Sequence, residues 1–252
     1  MKIAICQPTY LPWLGYFDLI DQVDVFILLD NVQFQRRSWQ HRNRLKTPTG
    51  LQWLTVPVMF RGRFGQPINE VVIRDTEFWR SHLRAIELNY RRTPFFNCYF
   101  EELSSRITTR RSSCALMADL DIHLIDWFMD ILGIRSSVLL SSHLEQPGKR
   151  MGLLANICNS LGAKQYVSPL GSAAYLLQEI DVLLDQGVDV VFQHYEHPQY
   201  RQLFPPFCPY ASILDLIFNE GDRALEILRS GRRAPFLPEE VGALVAAKAG
   251  AR

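Results

Sequence analysis

The chain has 252 residues, 27 of them Lys or Arg and 26 Asp or Glu, and its formal net charge of +1 argues against a general nucleic-acid binder. With 48% apolar and 21% charged residues it has the balance of a globular protein with a sizeable core, which excludes a disordered or fibrous chain. No apolar run reaches the roughly 18 residues of a membrane span, the first residues lack a secretory pattern, and Cys6, Cys98, Cys114, Cys158 and Cys208 occur singly, as in a reducing compartment; a cytoplasmic protein is expected.

Lys2 to Cys6 (KIAIC) has the length and composition of a buried strand, followed at once by a turn holding Pro8 and Pro12. Gly15 to Val23 has helical spacing, with Tyr16, Leu19, Ile20 and Val23 on one side, and DVFILLD is strand-like. Strand, helix, strand is a βαβ unit and predicts a parallel sheet, in which ligands bind at the carboxyl ends of the strands. Gln7, Pro8, Tyr10, Asp30, Asn31 and Gln33 therefore fall at the expected mouth of a site.

From Asn31 to Asn69 the chain has no Asp or Glu, while Arg36, Arg37, Arg42, Arg44, Lys46, Arg61 and Arg63 all fall inside. Such a segment is a local cationic surface suited to an anionic partner. Ser38 to Lys46 is compatible with helix or loop. Next come a TPTG turn, a strand in LQWLTVPV, a loop in MFRGRFGQPIN and a strand in VVIRD.

Glu77 to Asn89 is expected to be helical, with Phe78, Leu83, Ile86 and Leu88 apolar, and a second helical stretch follows Pro94. Cys114 to Leu132 is the strongest helix, with Gly133 as its C-cap signal. SSVLLSSHL reads as a strand, Arg150 to Leu161 as a helix capped by Gly162, QYVSPLGSAAYLL as strand, glycine turn and helix, and VDVVFQHY as a last strand. HPQYRQLFPPFCPY should be ordered but irregular, SILDLIFNEGDRALEILRSG two helical pieces broken at Gly221, and the tail beyond Pro238 a surface helix. The sum is one α/β domain over the whole chain, its mostly parallel sheet flanked by helices, with a helical insert at about residues 77–132 and a helical C-terminal tail.

QPTYLPWLGYF, DNVQFQRRSWQHRNRLK, the WLTVPV strand, and the late HPQY and SILDLIFNEG segments together resemble the WbqC-like proteins over nearly the whole chain. That resemblance implies a link to bacterial surface-polysaccharide biosynthesis, O-antigen included, and an amide-forming or group-transfer role on an amino sugar. The opening layout is also similar, more distantly, to pantothenate synthetase-like nucleotidylyltransferases, which implies a nucleotide-binding (HUP-type) fold. In those enzymes an H-x-G-H turn and a later serine-rich basic stretch hold ATP. SSHLEQPGKRMGLL stands at a comparable distance here, but Pro12 and Gly15 occupy the place of the histidine pair, which counts against adenylyl transfer by that route.

The residues then suggest roles. Arg36, Arg37, Arg42, Arg44 and Lys46, with His41 and Trp39 among them, would hold the phosphates of a nucleotide, and Lys149 and Arg150 would close on them. Gln7 and Gln33 suit reading a base or sugar, and Gly171 sits at a strand-to-helix turn whose N–H groups can meet an anion. Asp30 or His197 would handle the proton. Each has an ordinary alternative: solvated arginines, a capping or salt-bridged aspartate, glutamines satisfying loop backbone, a plain turn glycine. His194-Tyr195-Glu196-His197 is a poor metal motif, because residues three apart on an extended chain face opposite ways.

The expected ligand is a nucleotide or nucleotide-linked amino sugar, the cofactor class ATP or another nucleotide with Mg²⁺. Neither nucleic acid nor membrane insertion is expected, and a homo-oligomer is left open. A glycosyltransferase is one rival reading. A non-catalytic scaffold is another, which an exposed patch of Phe95, Phe96, Tyr99 and Phe100 would favour.

Overall fold

Two short apolar runs make the centre of the sheet. β1 (Lys2–Cys6) and β2 (Val25–Leu28) pair in parallel, Ile3 opposite Val25 through Cys6 opposite Leu28, joined by α1 (Leu14–Asp21). Because successive side chains alternate across a strand, Ala4, Phe26 and Leu28 enter one hydrophobic core and Ile3, Ile5 and Ile27 the other. Burial on both faces is why these strands are continuous apolar runs. The protein is described by a computed structural model covering residues 1–75, 77–108 and 115–250, the last three by backbone alone.

The chain then leaves the sheet. β3 (Arg42–Thr47) and β4 (Gly50–Thr55) form a separate antiparallel hairpin that turns at Pro48 and Thr49, and α2 (Phe78–Tyr90), α3 (Phe96–Thr108) and α4 (Met117–Leu132) follow. The chain re-enters the sheet at β5 (Ser137–Leu140) and continues through α5 (Ser141–Leu144), α6 (Arg150–Ser160), β6 (Gln165–Ser168), α7 (Ala173–Leu176), α8 (Asp181–Leu184) and β7 (Asp189–Phe192). An irregular segment leads to α9 (Ile213–Glu220), α10 (Ala224–Ser230) and α11 (Pro238–Gly250).

The sheet is parallel with order β5-β2-β1-β6-β7. Counted among its own strands that is 3-2-1-4-5, the doubly wound order, and its switch point lies between β1 and β6. Residues of α1, the hairpin, α2 to α4 and α9 fill the core on one face, and residues of α6, α7, α8 and α11 that on the other. No helix among the described residues is long and apolar enough to cross a membrane.

The elements differ from the sequence-based expectation in four places. Ser38 to Lys46 is a strand in its second half, because Arg44 faces Trp53 across the hairpin and the Asn43 carboxamide donates to the carbonyls of Tyr10 and Leu11 at 3.1 and 2.8 Å. VVIRD makes only isolated bridges among the described residues, Val58 to Ile73 and Val72 to Leu116, with Val71 and Ile73 going into the core instead. The run after Ser136 stops being a strand at Leu140, where Ser141 and Ser142 turn to bind Asp30. Leu88 is exposed, since the buried stripe of α2 runs through Phe78, His82, Leu83, Ile86 and Tyr90. The start expected for α4 at Cys114 lies outside the described residues. Gly133 does cap that helix, at φ 70°.

The aromatic set expected of a scaffold surface is packed inward. Phe96 is buried and stacks on Phe100 at 4.4 Å, while the ring of Phe95 lies against Gly221. Gly221 breaks α9 from α10 at φ 51°, ψ −121°, and a Cβ there would sit 2.3 Å from Phe95 Cδ1. Gly221→Ala is expected to cost about 3 kcal/mol, from forced backbone and overpacking together. The check is a lower urea midpoint at unchanged slope.

Candidate functional site

Three strand ends converge on one cavity. Gln7 follows β1, Pro169, Leu170 and Gly171 follow β6, and Gln193 and Tyr195 follow β7; all line a cavity of about 640 Å³. That is the switch point of the sheet, where doubly wound folds bind ligands, and the volume is that of a small-molecule site. The hairpin and the segment before it close the other side, through Gln35, Ser38, Trp39, Gln40, Asn43 and Arg44.

The wall nearest α1 comes from the P-W-L-G turn. Trp13 precedes the helix, and its indole folds back across Gly15, so close that a Cβ on Gly15 would lie 2.3 Å from ring carbons. Tyr195 and Tyr210 pack on the indole at 5.7 and 5.4 Å between ring centroids. Behind it His197 is enclosed by Trp13, Tyr200, Phe207 and Tyr210. The His197 Nδ1 donates to the Pro198 carbonyl at 2.9 Å, leaving Nε2 buried and without a partner, and burial pulls its pKa down.

The polar groups of the cavity are amides held in fixed orientation. Gln193 Nε2 donates to Gly15 O at 2.8 Å and to the Asp18 carboxylate at 2.7 Å, so its Oε1 is left as an acceptor. Asp18 is fully buried and paired with Arg232 at 2.8 Å. On the opposite wall Gln40 accepts from Gln35 N–H and donates to Gln7 Oε1 at 2.7 Å, which leaves Gln7 Nε2 as a donor. Cys6 also lines the cavity, but burial pushes its thiol up to about 12, so it stays protonated.

Arg44 is the cation among the described lining residues. Strand alternation puts it on one face of the hairpin with Arg42, where Arg44 lies 5.2 Å over Trp39 and 5.5 Å over Trp53, and Arg42 4.3 Å over Trp53. Stacked in this way, a guanidinium keeps its N–H edge available for an anion; one Arg44 nitrogen donates to Tyr210 O at 3.3 Å.

Of the residues singled out from sequence, Gln7, Arg44 and Gly171 line the cavity together, and Arg42 stands beside it. Arg36 lies over Phe60, Arg37 is exposed, and Gln33 pairs with Pro67 on the surface. Tyr10 is buried and donates to His82 Nδ1 at 2.8 Å; burial holds that imidazole at about 4. His41 is also buried, accepting from Arg37 N–H and donating to Val56 O. Lys46 is in the core, where its charge helps offset the burial that raises the Asp215 carboxyl. Lys149 and Arg150 are exposed at the start of α6, away from the lining. Asp30 accepts from Ser141 Oγ, Ser142 N and Ser142 Oγ at 2.9, 2.9 and 2.7 Å and does not reach the cavity.

Trp13, Gln40, Gln193, Tyr195 and Tyr210 line the cavity without being candidates from sequence, whereas Trp39 is noted there among the cations. Gln193 had a usable signal, since it follows β7 just as Gln7 follows β1. Among the described residues no group of three His, Cys, Asp or Glu side chains is placed to hold a metal.

Comparison with known proteins gives three findings. No solved structure matches the chain. It is 36% identical over 241 residues to "Uncharacterized protein Rv1507c" of Mycobacterium tuberculosis (strain ATCC 25618 / H37Rv), an alignment covering 92% of this chain and 99% of that protein. The family model of the WbqC-like proteins matches residues 7–227, which takes in the cavity from Gln7 to Tyr210. The chain belongs to the WbqC-like protein family.

Proposed function

We propose that the protein binds a nucleotide-linked sugar in the switch-point cavity and serves there as a group transferase of surface-polysaccharide biosynthesis. The observation that carries this reading is the cavity's set of partners: a fixed donor at Gln7 Nε2, a fixed acceptor at Gln193 Oε1, aromatic walls at Trp13 and Trp39, and one stacked guanidinium at Arg44. Amides of opposite polarity suit hydroxyl groups, aromatic faces suit the apolar face of a sugar or base, and an arginine suits one phosphate or carboxylate. Transfer at such a site would rest on alignment of donor and acceptor.

A non-catalytic binding role is the second reading, favoured by one observation. Asp30 is occupied by its serine hydrogen bonds and His197 stands behind Trp13, so neither meets a ligand in the cavity directly.

A thermal-shift screen of nucleotides, nucleotide-sugars and acyl thioesters tests the proposal. A true ligand at a hundred times its dissociation constant should stabilise by about 2.7 kcal/mol. Arg44→Ala should weaken it by about tenfold or more, the loss of a charge-assisted hydrogen bond. Equal shifts in parent and variant would remove the cavity from the reading. A ligand that shifts the midpoint but is never consumed in the presence of an amine acceptor would leave the binding role.

A further inference from the structure

The cationic stretch presents a second surface that the cavity does not use. Residues 59 to 66 form a loop in which Gly62 and Gly65, both at φ 72°, bracket Arg63 and Phe64. A Cβ on either glycine would meet nothing within 4 Å, so the loop stands clear of the body. Phe64 is fully exposed, and Arg61 and Arg63 beside it are exposed as well.

Contacts join this loop to the hairpin. Arg36 lies 4.1 Å over Phe60, Arg37 follows it in the chain, the Arg37 carbonyl accepts from Arg42, and Arg42 lies over Trp53. Trp39 and Trp53 are nearly half exposed, and Met59 more than a third. None of Arg36, Arg37, Arg42, Arg44, Arg61 and Arg63 has an ion-pair partner among the described residues. The segment from Asn31 to Asn69 carries no Asp or Glu, and the exposed Glu70 borders it where Gln66 donates to the Glu70 carbonyl; the surface is thus predominantly cationic, rich in aromatics, and led by a phenyl ring with nothing to pack on.

We propose that this surface docks the protein onto an anionic phospholipid bilayer, with Phe64 entering the headgroup boundary and the arginines against lipid phosphates. An apolar side chain that dips below the headgroups and basic residues that meet anionic lipid are the two components of peripheral binding. Single-stranded nucleic acid fits the surface less well. It needs a succession of free aromatic faces for its bases; Phe64 offers one, but Arg42 covers Trp53, and Trp39 and Trp53 lie against one another at 5.2 Å. Since Trp39 and Arg44 belong to both this surface and the cavity lining, docking would set the cavity mouth at headgroup level.

The test is co-sedimentation of the full chain with vesicles of phosphatidylcholine alone and with about 30 mol% phosphatidylglycerol added, at low and high salt. A single-stranded oligouridylate arm runs alongside. The expected result is salt-sensitive binding to the anionic vesicles alone. Phe64→Ala should reduce it about tenfold through lost apolar insertion, and the Arg61→Ala, Arg63→Ala pair by about twenty-five-fold, at roughly fivefold per basic residue. Circular dichroism should be unchanged, since all three side chains are exposed. Failure to bind, equal binding to both vesicle types, or indifference to either substitution overturns the proposal. Binding to the oligonucleotide and not to vesicles overturns it too, and reassigns the surface to nucleic acid.

Discussion

Asp121→Asn is expected to make the protein more stable at neutral pH and to remove part of its dependence on pH. Asp121 sits inside α4 with no exposed surface, and neither carboxyl oxygen has a hydrogen-bond partner among the described residues. Burial raises its pKa well above the ordinary 3.8. The groups that feel its charge, Tyr10 and Tyr16, are buried phenols whose own pKa values are raised, and no cation among the described residues offsets the burial of Asp121. Below about pH 4 both folded and unfolded chains hold the proton and the group contributes nothing to pH dependence. Above that, the unfolded chain releases the proton and the folded chain keeps it. The unfolded state then binds fewer protons, and stability falls by about 1.4 kcal/mol per pH unit until the folded carboxyl itself ionises. Asparagine has the same shape and no such slope. Urea melts of both proteins between about pH 4.5 and 7.5 should show the variant gaining on the parent as pH rises. Parallel curves would mean that the carboxyl ionises freely in the folded protein, with water or a cation reaching it.

Much of the scaffold was legible because short apolar runs and their punctuation are local signals. KIAIC, VDVVF and the α4 stripe ending at Gly133 each appear where composition and spacing put them. The hairpin was not legible in its first strand, since RNRLK has no alternation of apolar and polar residues; Asn43 is buried by hydrogen bonds to the distant Tyr10 and Leu11 carbonyls. The site divides in the same way. Gln7 followed from the strand-end rule and Gly171 from its place at a strand-to-helix turn, but the charge count weighted the five cations from Arg36 to Lys46 alike. A count cannot see that β3 carries Arg42, Arg44 and Lys46 on one face, and that this face is open to the cavity at Arg44 but covered by the core beside Asp215 at Lys46. Asp30 misled for a related reason. A carboxylate at the end of an apolar strand does need partners, and Ser141 and Ser142, more than a hundred residues away, supply them.

Gly15→Ala should abolish ligand binding in the cavity while leaving the fold intact. On helix propensity alone the change inside α1 would be favourable, by up to about 1 kcal/mol. The added Cβ, however, would lie 2.3 Å from the Trp13 ring, which crosses Gly15 to make the cavity wall. The Trp13 backbone has little room to yield: Pro12 O accepts from Ile213 N at 2.7 Å, and Trp13 itself bridges to Ser212. The indole is the part that must move. Its exits are a strained overpacked position, at about 1–3 kcal/mol, or a swing into the cavity where the ligand would lie. Either way the stacking with Tyr195 and Tyr210 is lost, and the ligand-induced thermal shift should fall to the level of no ligand. The double variant Trp13→Ala, Gly15→Ala separates the two costs, since coupled neighbours do not add. It should recover most of the midpoint lost in Gly15→Ala, because the clash is gone, yet still fail to bind. If Gly15→Ala alone retains the parent's ligand shift, Trp13 is not a wall of the site, and the ligand sits elsewhere.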